Sequence, residues 1–185
     1  NIVAGLLDAC AADSSAEVYG FVGGTLGLFA GHAVRITPEL VAPYRNQGGF
    51  ELLGRTVDRI QTRQQLEQTL QACQNLSLDG LVIVGGVRSN TDAAYVAEYF
   101  LESSCATKVV GVPVSIDNCI SNNFVESAVG FDTVCRLDAQ IVGNTATDGA
   151  SSKKYYYLMR LMGHAPSHMT LEVALQTKSN MVILA

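Results

Sequence analysis

The clearest alternation of apolar and polar positions in the chain lies between residues 80 and 118. An apolar run at residues 81–84 ends at paired glycines, and a polar turn follows. A second apolar run, at residues 109–112, ends at Pro113 and another polar turn. The pattern predicts a strand, a glycine turn, a helix and a second strand, which is the repeating unit of a parallel α/β sheet. Between the two runs, apolar residues recur with the spacing of one helix face, at Ala93, Val96, Ala97, Phe100 and Leu101.

The segment before this central unit predicts a helix, a strand and two loops. Residues 1–10 carry a helical apolar face, and residues 17–22 are typical of a strand. Four glycines within residues 23–31 indicate a loop with close backbone approach. The prolines and glycines of residues 36–54 indicate mostly irregular structure.

Further helices and strands are predicted on either side of the central unit. Thr62, followed three residues later by Gln65, makes a capping box that predicts the start of a helix. Beyond the central unit, residues 124–145 have the pattern of a long amphipathic helix. Residues 155–162 and 181–184 are apolar enough for two buried strands, and a helix is predicted between them.

Strands and helices alternate throughout this scheme, with at least five strands. The sequence therefore predicts an α/β fold, a doubly wound, Rossmann-like sandwich around a parallel sheet. Such sheets bind ligands in the crevice at the carboxyl ends of their strands. The predicted strands that end in glycine or a polar turn do so at residues 23–24, 85–86, 113–118 and 163–164, which favours a binding crevice.

Composition narrows the classes of function. Hydrophobic residues make up 48% of the 185 residues and charged residues 16%, which is typical of a folded domain. The net charge of −5 argues against a nucleic-acid surface, and no apolar run approaches the length of a membrane span. The five cysteines lie far apart without a CxxC pair, so reduced thiols in the cytoplasm are expected.

The glycine turn of the central unit is a candidate phosphate site. The backbone N–H groups at Gly85 and Gly86, together with the N-terminus of the following helix, suit an anion. Arg88 would add a charge-assisted hydrogen bond. The alternative is a tight turn before a capped helix, with no ligand. Three good helix N-caps follow in the sequence, Ser89, Asn90 and Thr91.

Other polar groups have both a functional and a structural interpretation. Asp117 follows an apolar strand and suits a general base toward a hydroxyl, whereas an Asx-turn is the ordinary explanation of such a residue. His164 and His168 have the spacing of a metal pair, but a third ligand is not in view. Lys153 and Lys154 would meet an anion or mark the solvated start of a strand.

Ordered segments along nearly the whole chain carry a family resemblance. They are YGFVGG, PYRNQGGF, LDGLVIVGG followed by SNTDAA, KVVGVP with its SID, GFDT, KYYYLMRLMG, and PSH before TLEVALQ. Together they resemble the phosphofructokinase family, specifically its long, plant-type pyrophosphate-dependent branch. The resemblance implies that residues 1–185 are part of a phosphofructokinase domain. The family's first glycine-rich loop would lie upstream of Asn1, and the second half of the fold would lie beyond Ala185.

The resemblance also implies an activity and a set of site residues. The family transfers a phosphoryl group to the 1-hydroxyl of fructose 6-phosphate, with Mg²⁺ and with pyrophosphate or ATP as donor. Asp117 stands at the position of the catalytic base. Positions that match substrate-binding ones are Ser115, Ile116, Lys154, Tyr155, Met162, Gly163 and His164. Positions in the phosphate-binding turn are Gly85, Gly86, Arg88, Ser89, Asn90 and Thr91.

Several matched positions depart from the catalytic pattern of the family. Val87 and Arg88 replace two acids, of which the first holds the metal. Val114 replaces the lysine that meets pyrophosphate, Cys119 replaces a second aspartate, and His164 replaces the arginine that grips the sugar phosphate. We therefore expect neither Mg²⁺ nor the phosphoryl donor to bind well to this chain.

These departures favour one hypothesis and leave two others open. The chain most resembles the regulatory, non-catalytic subunit type, so we expect a regulatory or structural domain. It would bind fructose 6-phosphate or another sugar-phosphate effector and work in an oligomer with a catalytic domain or subunit. The first alternative is an active phosphofructokinase that uses Asp117 as base. The second, a nucleotide-binding α/β module such as a dehydrogenase domain, needs a GxGxxG turn that this sequence does not contain.

Overall fold

A computed structural model describes residues 1–13, 16–47, 50–120, 122–126, 128–163 and 167–184. The strands are β1 (Tyr19–Phe21), β2 (Ala33–Arg35), β3 (Gly80–Gly85), β4 (Lys108–Ser115) and β5 (Val129–Gly130). The α-helices are α1 (Ile2–Cys10), α2 (Thr25–Phe29), α3 (Pro38–Val41), α4 (Phe50–Leu53), α5 (Arg63–Asn75), α6 (Val87–Glu102), α7 (Phe131–Ser152) and α8 (His168–Thr177), and a 3₁₀ turn spans Ala42–Tyr44.

The central strand–helix–strand unit predicted from the sequence is confirmed as β3, α6 and β4. These strands belong to a three-stranded sheet in the order β3–β4–β5. β4 and β5 are parallel, with Val114 opposite Val129 and Ser115 opposite Gly130. A separate two-stranded sheet pairs β1 with β2 in antiparallel orientation. The carboxyl end of β4 therefore lies beside the residues that lead into α7.

The chain divides into two compact units. The first unit comprises Asn1–Ile83 and Thr91–Val110, and the second comprises Val84–Asn90 and Gly111–Ala185. The core of the first unit is formed by buried apolar side chains from α2, α5, β3 and α6 and from the segment before α5. These side chains are Leu28, Ile60, Ala72, Cys73, Leu81, Val96 and Phe100.

Helix α5 begins as the capping box predicts. The Thr62 hydroxyl accepts a hydrogen bond from the Gln65 N–H at 3.3 Å, and the Gln65 side chain accepts one from the Thr62 N–H at 3.0 Å. Two donors that the helix itself cannot satisfy are paired in this way. The buried face of the helix then places Cys73 in the core.

The second unit is built on the packing of α7 against α8. Cys135 and Val142 of α7 form a buried cluster with Met169 and Val173 of α8. The sequence predicts a helix over residues 124–145, but α7 begins later and ends later, at Phe131–Ser152. Gly130 precedes it with φ 107°, a left-handed conformation that only glycine adopts easily, and so fixes the point where the helix begins.

The two loops predicted before the central unit contain short helices, so the loop prediction is wrong, whereas the close backbone approach predicted within residues 23–31 is confirmed at Gly27. Within residues 23–31, α2 forms because Gly27 lacks a side chain: a Cβ there would lie 2.8 Å from the carbonyl carbon of Val22. Within residues 36–54, the Thr37 hydroxyl caps α3 by accepting from the Leu40 N–H at 3.3 Å. The local side-chain cap and the close glycine contact outweigh the loop signal of the composition.

The strands predicted at residues 155–162 and 181–184 are also wrong. Neither segment is a strand, and among the described residues no strand pairs with either segment. Most of their apolar side chains are exposed, as for Leu158 at 94% and Met181 at 80%, while Leu161 is partly buried against the α7–α8 cluster. Apolar composition alone does not make a strand, because a strand requires a neighbour for its backbone groups.

Two boundaries in the central unit differ from the sequence prediction. β4 continues through Pro113 to Ser115 instead of ending at residue 112. The helix begins at Val87, so Ser89, Asn90 and Thr91 lie within its first turns and are not its N-caps. Among the described residues, none of the helices is both long and apolar enough to cross a membrane.

Candidate functional site

The glycine turn between β3 and α6 is held together by Asn90. Its Nδ2 donates to the carbonyl oxygens of Gly85 and Gly86, at 2.8 and 2.9 Å. A Cβ on Gly85 would lie 2.6 Å from Cβ of Ser89, so this turn requires glycine at that position. A Cβ on Gly86 would lie 3.7 Å from the carbonyl oxygen of Val114 in β4. The Asn90 amide group therefore shapes the predicted phosphate turn.

The first residues of α6 present an apolar and a cationic side chain to solvent. Val87 is 54% exposed, and Arg88 is exposed beside it. Backbone N–H groups at the start of a helix attract anions, and a guanidinium adds to that attraction. Thr91 also lies on α6 but belongs to the first compact unit. The other predicted phosphate-turn residues belong to the second unit.

Asp117 lies in a tightly bonded turn at the carboxyl end of β4. The Ser115 hydroxyl accepts a hydrogen bond from the Asp117 N–H at 3.1 Å. Asn118 adopts φ 52°, and its Oδ1 accepts from the Ala128 N–H at 2.9 Å. Ile116 is half-buried, and Asp117 is only 7% exposed. The backbone on both sides of Asp117 is thus fixed by side-chain hydrogen bonds.

The structure brings Gly163 against the carboxylate of Asp117. A Cβ on Gly163 would lie 3.4 Å from Oδ1 of Asp117 and 3.9 Å from Cε of Met169. Two positions predicted for one site, separated by 46 residues of sequence, therefore meet in the second unit. His164, the next predicted site residue, lies outside the described residues, as does any metal pair of His164 with His168.

The remaining predicted substrate positions lie at the surface. The ammonium of Lys154 stands 5.3 Å from the ring centroid of Tyr155, within the range of a cation–π contact. Both residues are exposed, and so is Met162. Lys153 ends α7 in a left-handed conformation, and its N–H donates to the Gly149 carbonyl at 3.0 Å. Its backbone therefore has a structural task at the end of the helix.

The described residues do not fit Mg²⁺. Mg²⁺ requires hard oxygen ligands in near-octahedral geometry, whereas Val87 supplies only carbon and the neighbouring Arg88 is a cation. The thiol of Cys119 lies 3.4 Å from the Ser115 hydroxyl, where a carboxylate would offer a harder ligand. Within the described part of the chain, no group of three His, Cys, Asp or Glu side chains is placed to hold a metal ion.

A separate groove of about 690 Å³ runs along α7 and α8. All of its lining residues belong to these two helices, and none is among the predicted site residues. Its charged and polar lining side chains are Arg136, Gln140, Thr147, Gln176 and Thr177. We place the candidate site at Asp117 rather than in this groove because Asp117 is buried in a turn that side-chain hydrogen bonds hold in place.

One contact at the candidate site is missed by sequence reasoning. Nδ1 of His168 lies 3.4 Å from the carbonyl oxygen of Asp117. In the sequence, His168 stands out only as half of a metal pair. The sequence carries no signal for this contact, because the acceptor is a backbone carbonyl 51 residues away.

Comparisons with known proteins identify the family of the chain. The family described as Phosphofructokinase matches residues 1–185. The chain is 51% identical over its whole length to the pyrophosphate–fructose 6-phosphate 1-phosphotransferase subunit alpha of Solanum tuberosum, and it covers 30% of that protein. It is 42% identical to the subunit beta of the same plant, of which it covers 32%. The chain thus spans less than a third of the length of these relatives.

Solved structures show the same fold. A crystal structure of the pyrophosphate-dependent phosphofructokinase from Nitrosospira multiformis matches 94% of this chain and 45% of its own, with a TM-score of 0.80 at 17% identity. That of the Marinobacter aquaeolei enzyme gives a TM-score of 0.77 at 16% identity, over 96% of this chain and 45% of its own. The fold is that of the phosphofructokinases. The chain belongs to the phosphofructokinase family.

Proposed function

We propose that this chain is a segment of a pyrophosphate-dependent 6-phosphofructokinase and serves there as a regulatory or structural, catalytically degenerate domain. The parent enzyme would transfer a phosphoryl group to fructose 6-phosphate and form fructose 1,6-bisphosphate, with Mg²⁺ and pyrophosphate, or ATP, bound elsewhere. The observation that carries the proposal is the start of α6. Val87 and Arg88 offer an exposed valine and a guanidinium where metal chemistry needs carboxylates.

The higher identity to alpha subunits than to beta subunits supports this assignment. The alpha subunits of Solanum tuberosum and Arabidopsis thaliana are 50 to 51% identical to the chain, and their beta subunits 40 to 42%. The two subunit names support a partner in the parent protein, which we take to be a catalytic domain or subunit in an oligomer. We place the protein in the cytoplasm; all five cysteines are free thiols, as is usual there.

The ligand that we propose for the segment is fructose 6-phosphate or a related sugar-phosphate effector. The buried Asp117 carboxylate beside Gly163 is suited to accept a hydrogen bond from a sugar hydroxyl. A side chain at position 163 would crowd Oδ1 of Asp117, and glycine avoids this. The Lys154–Tyr155 pair and Arg88 are exposed cationic candidates for the phosphate group.

The active-enzyme alternative is favoured by one observation. Asp117, the position of the family's base, is buried and held by hydrogen bonds on both sides, as a positioned general base would be. This alternative requires another oxygen ligand set for the metal. Metal-dependent turnover distinguishes it from the regulatory proposal.

Isothermal titration tests the proposal directly. Fructose 6-phosphate is titrated first, and then Mg²⁺ with pyrophosphate, into the unmodified protein, Asp117→Asn and Glu98→Gln. Glu98 lies exposed on α6 and serves as the carboxylate control. We expect sugar-phosphate binding that Asp117→Asn weakens and Glu98→Gln does not, with no metal-dependent pyrophosphate binding. Metal-dependent pyrophosphate binding would favour the active enzyme, and no sugar-phosphate binding would contradict the proposed pocket.

A further inference from the structure

The geometry points to His168 as a positioning residue for Asp117, acting from the first turn of α8. Its Nδ1 lies 3.4 Å from the backbone carbonyl oxygen of Asp117, 51 residues earlier in the chain. Both residues belong to the second compact unit. The next residue of α8, Met169, is buried and lies near Gly163, which itself approaches the Asp117 carboxylate. The first turn of α8 therefore contacts Asp117 through His168 and lies near Gly163 through Met169.

The acceptor in this contact determines which nitrogen of the His168 imidazole carries the proton. A carbonyl oxygen only accepts hydrogen bonds, so Nδ1 must carry the proton and donate. The hydrogen bond made by one ring nitrogen sets the tautomer of a neutral histidine. In the neutral ring, Nε2 then carries a lone pair. Because His168 is exposed, this second nitrogen remains available as an acceptor.

The His168 contact completes the fixation of the Asp117 backbone. The Ser115 hydroxyl holds the N–H of Asp117, and Nδ1 of His168 holds its carbonyl oxygen. Asn118, the following residue, is fixed through its side chain to the N–H of Ala128. With the peptide groups on both sides held, the backbone from which the Asp117 side chain projects toward Gly163 is restrained. At 3.4 Å the contact is long for an N–H···O bond, so the restraint is modest.

In one respect this inference rests on the proposed function. A carboxylate on a restrained turn binds a sugar-phosphate hydroxyl better than one on a mobile turn, because less conformational freedom is lost on binding. Removing the donor should therefore weaken fructose 6-phosphate binding by about three- to tenfold, the range of one ordinary hydrogen bond. The positioning itself does not depend on any ligand and can be measured in the free protein.

The first measurement is the tautomer of His168 in the free protein. Two-bond ¹H–¹⁵N spectra of the ¹⁵N-histidine protein distinguish Nδ1–H from Nε2–H, and the three histidine signals are assigned with His168→Gln. We expect the Nδ1–H tautomer, together with a shift of the Asp117 carbonyl ¹³C signal in His168→Gln. The Nε2–H tautomer, or an unmoved Asp117 carbonyl signal, would overturn the inference.

The second measurement compares two conservative variants. Asparagine places its amide nitrogen near the position of Nδ1, and glutamine places it near Nε2. His168→Asn should therefore retain the Asp117 carbonyl shift and the fructose 6-phosphate affinity, whereas His168→Gln should lose both. Equal affinity in His168→Gln and the unmodified protein would overturn the link to binding. Absence of sugar-phosphate binding in the unmodified protein would contradict the proposed function, and the tautomer would still decide the positioning.

Discussion

The guanidinium of Arg59 donates two hydrogen bonds to the carboxylate of Asp92, from Nε to Oδ2 at 2.8 Å and from Nη2 to Oδ1 at 2.5 Å. Oδ2 also accepts the backbone N–H of Ile60 at 3.1 Å. The Asp92 side chain is 4% exposed and that of Arg59 is 28% exposed. The pair ties the irregular segment before α5 to helix α6 within the first unit. It gives the aspartate of the SNTDAA segment a structural role.

The first prediction follows from the burial of this pair. Arg59→Met should lower the free energy of unfolding by about 3 kcal/mol or more, because it leaves a buried carboxylate without its cation. Arg63→Met is the control, since Arg63 and Glu67 form an exposed i, i+4 pair whose loss costs at most about 0.5 kcal/mol. Urea unfolding measures both, and equal losses would contradict the assigned role of the buried pair.

The second prediction concerns stability at alkaline pH. Burial raises the pKa of the Cys73 thiol from its ordinary value of 9.0 to about 11. Above pH 9 the thiol therefore loses its proton in the unfolded chain but keeps it in the folded protein. This difference favours the unfolded chain, so the free energy of unfolding declines until the pH reaches about 11. The total loss is about 2–3 kcal/mol from two units of pKa.

Unfolding curves between pH 8 and 11 test this prediction through their dependence on pH. Cys73→Ala should lower stability at neutral pH but flatten the alkaline decline. Val96→Ala, which truncates another fully buried side chain of the same cluster, should lower stability without changing the decline. If stability declined as steeply with pH in Cys73→Ala as in the unmodified protein, other groups would cause the decline and the prediction would be wrong.

Local sequence signals predict the parts of the fold in which one short segment decides the outcome. The capping box at Thr62 and the β3–α6–β4 unit depend on neighbouring residues, and both form as predicted. The segments at 155–162 and 181–184 depend instead on a neighbouring strand, which composition does not reveal. Helix α2 depends on the close approach of Gly27 to Val22. The number of glycines in the segment indicates a loop and does not reveal this contact.

Part of the candidate site can likewise be predicted from local sequence patterns, and part cannot. The rule that ligands bind at the carboxyl ends of parallel strands indicates the Asp117 turn from the order of apolar runs and polar turns alone. The structure places Gly163 near the Asp117 carboxylate, and ligand binding there stays a prediction. The hydrogen bond from His168 has no sequence signal of its own, because it joins residues 51 positions apart through a backbone carbonyl. Every residue has a backbone carbonyl, so the identity of the acceptor residue does not reveal such a contact.

The third prediction compares two glycines within α7. A Cβ on Gly143 would meet nothing within 4 Å, so Gly143→Ala should stabilise the protein by about 1 kcal/mol through helix propensity. A Cβ on Gly149 would lie 3.0 Å from the ring of Tyr157, whose hydroxyl donates to Asp148 at 3.2 Å. Gly149→Ala should gain less or lose stability. Thermal unfolding of both variants decides, and a greater gain from Gly149→Ala would contradict the described contact.

The fourth prediction concerns the start of α6 as an anion site. If Arg88 contacts a bound phosphate, Arg88→Ala should weaken phosphate binding by about ten- to a hundredfold, the effect of one charge-assisted hydrogen bond of about 1.5–3 kcal/mol. Arg63→Ala, which removes an exposed arginine from α5, controls for the change in net charge. Titration with inorganic phosphate at low salt measures both variants. Unchanged affinity in Arg88→Ala would remove Arg88 from the proposed site.

The last prediction tests whether two carboxylates would restore phosphoryl transfer. Val87→Asp combined with Cys119→Asp should fold normally, because both residues are exposed. We nevertheless expect no phosphofructokinase activity. Arg88 would compete with Mg²⁺ for the new carboxylate beside it, and Val114 supplies no cation for a pyrophosphate group. A coupled assay with Mg²⁺, pyrophosphate and fructose 6-phosphate measures turnover, with Val87→Asn and Cys119→Asn as the uncharged control. Turnover in the acidic variant alone would mean that the loss of these two acids is what separates this chain from a catalytic one.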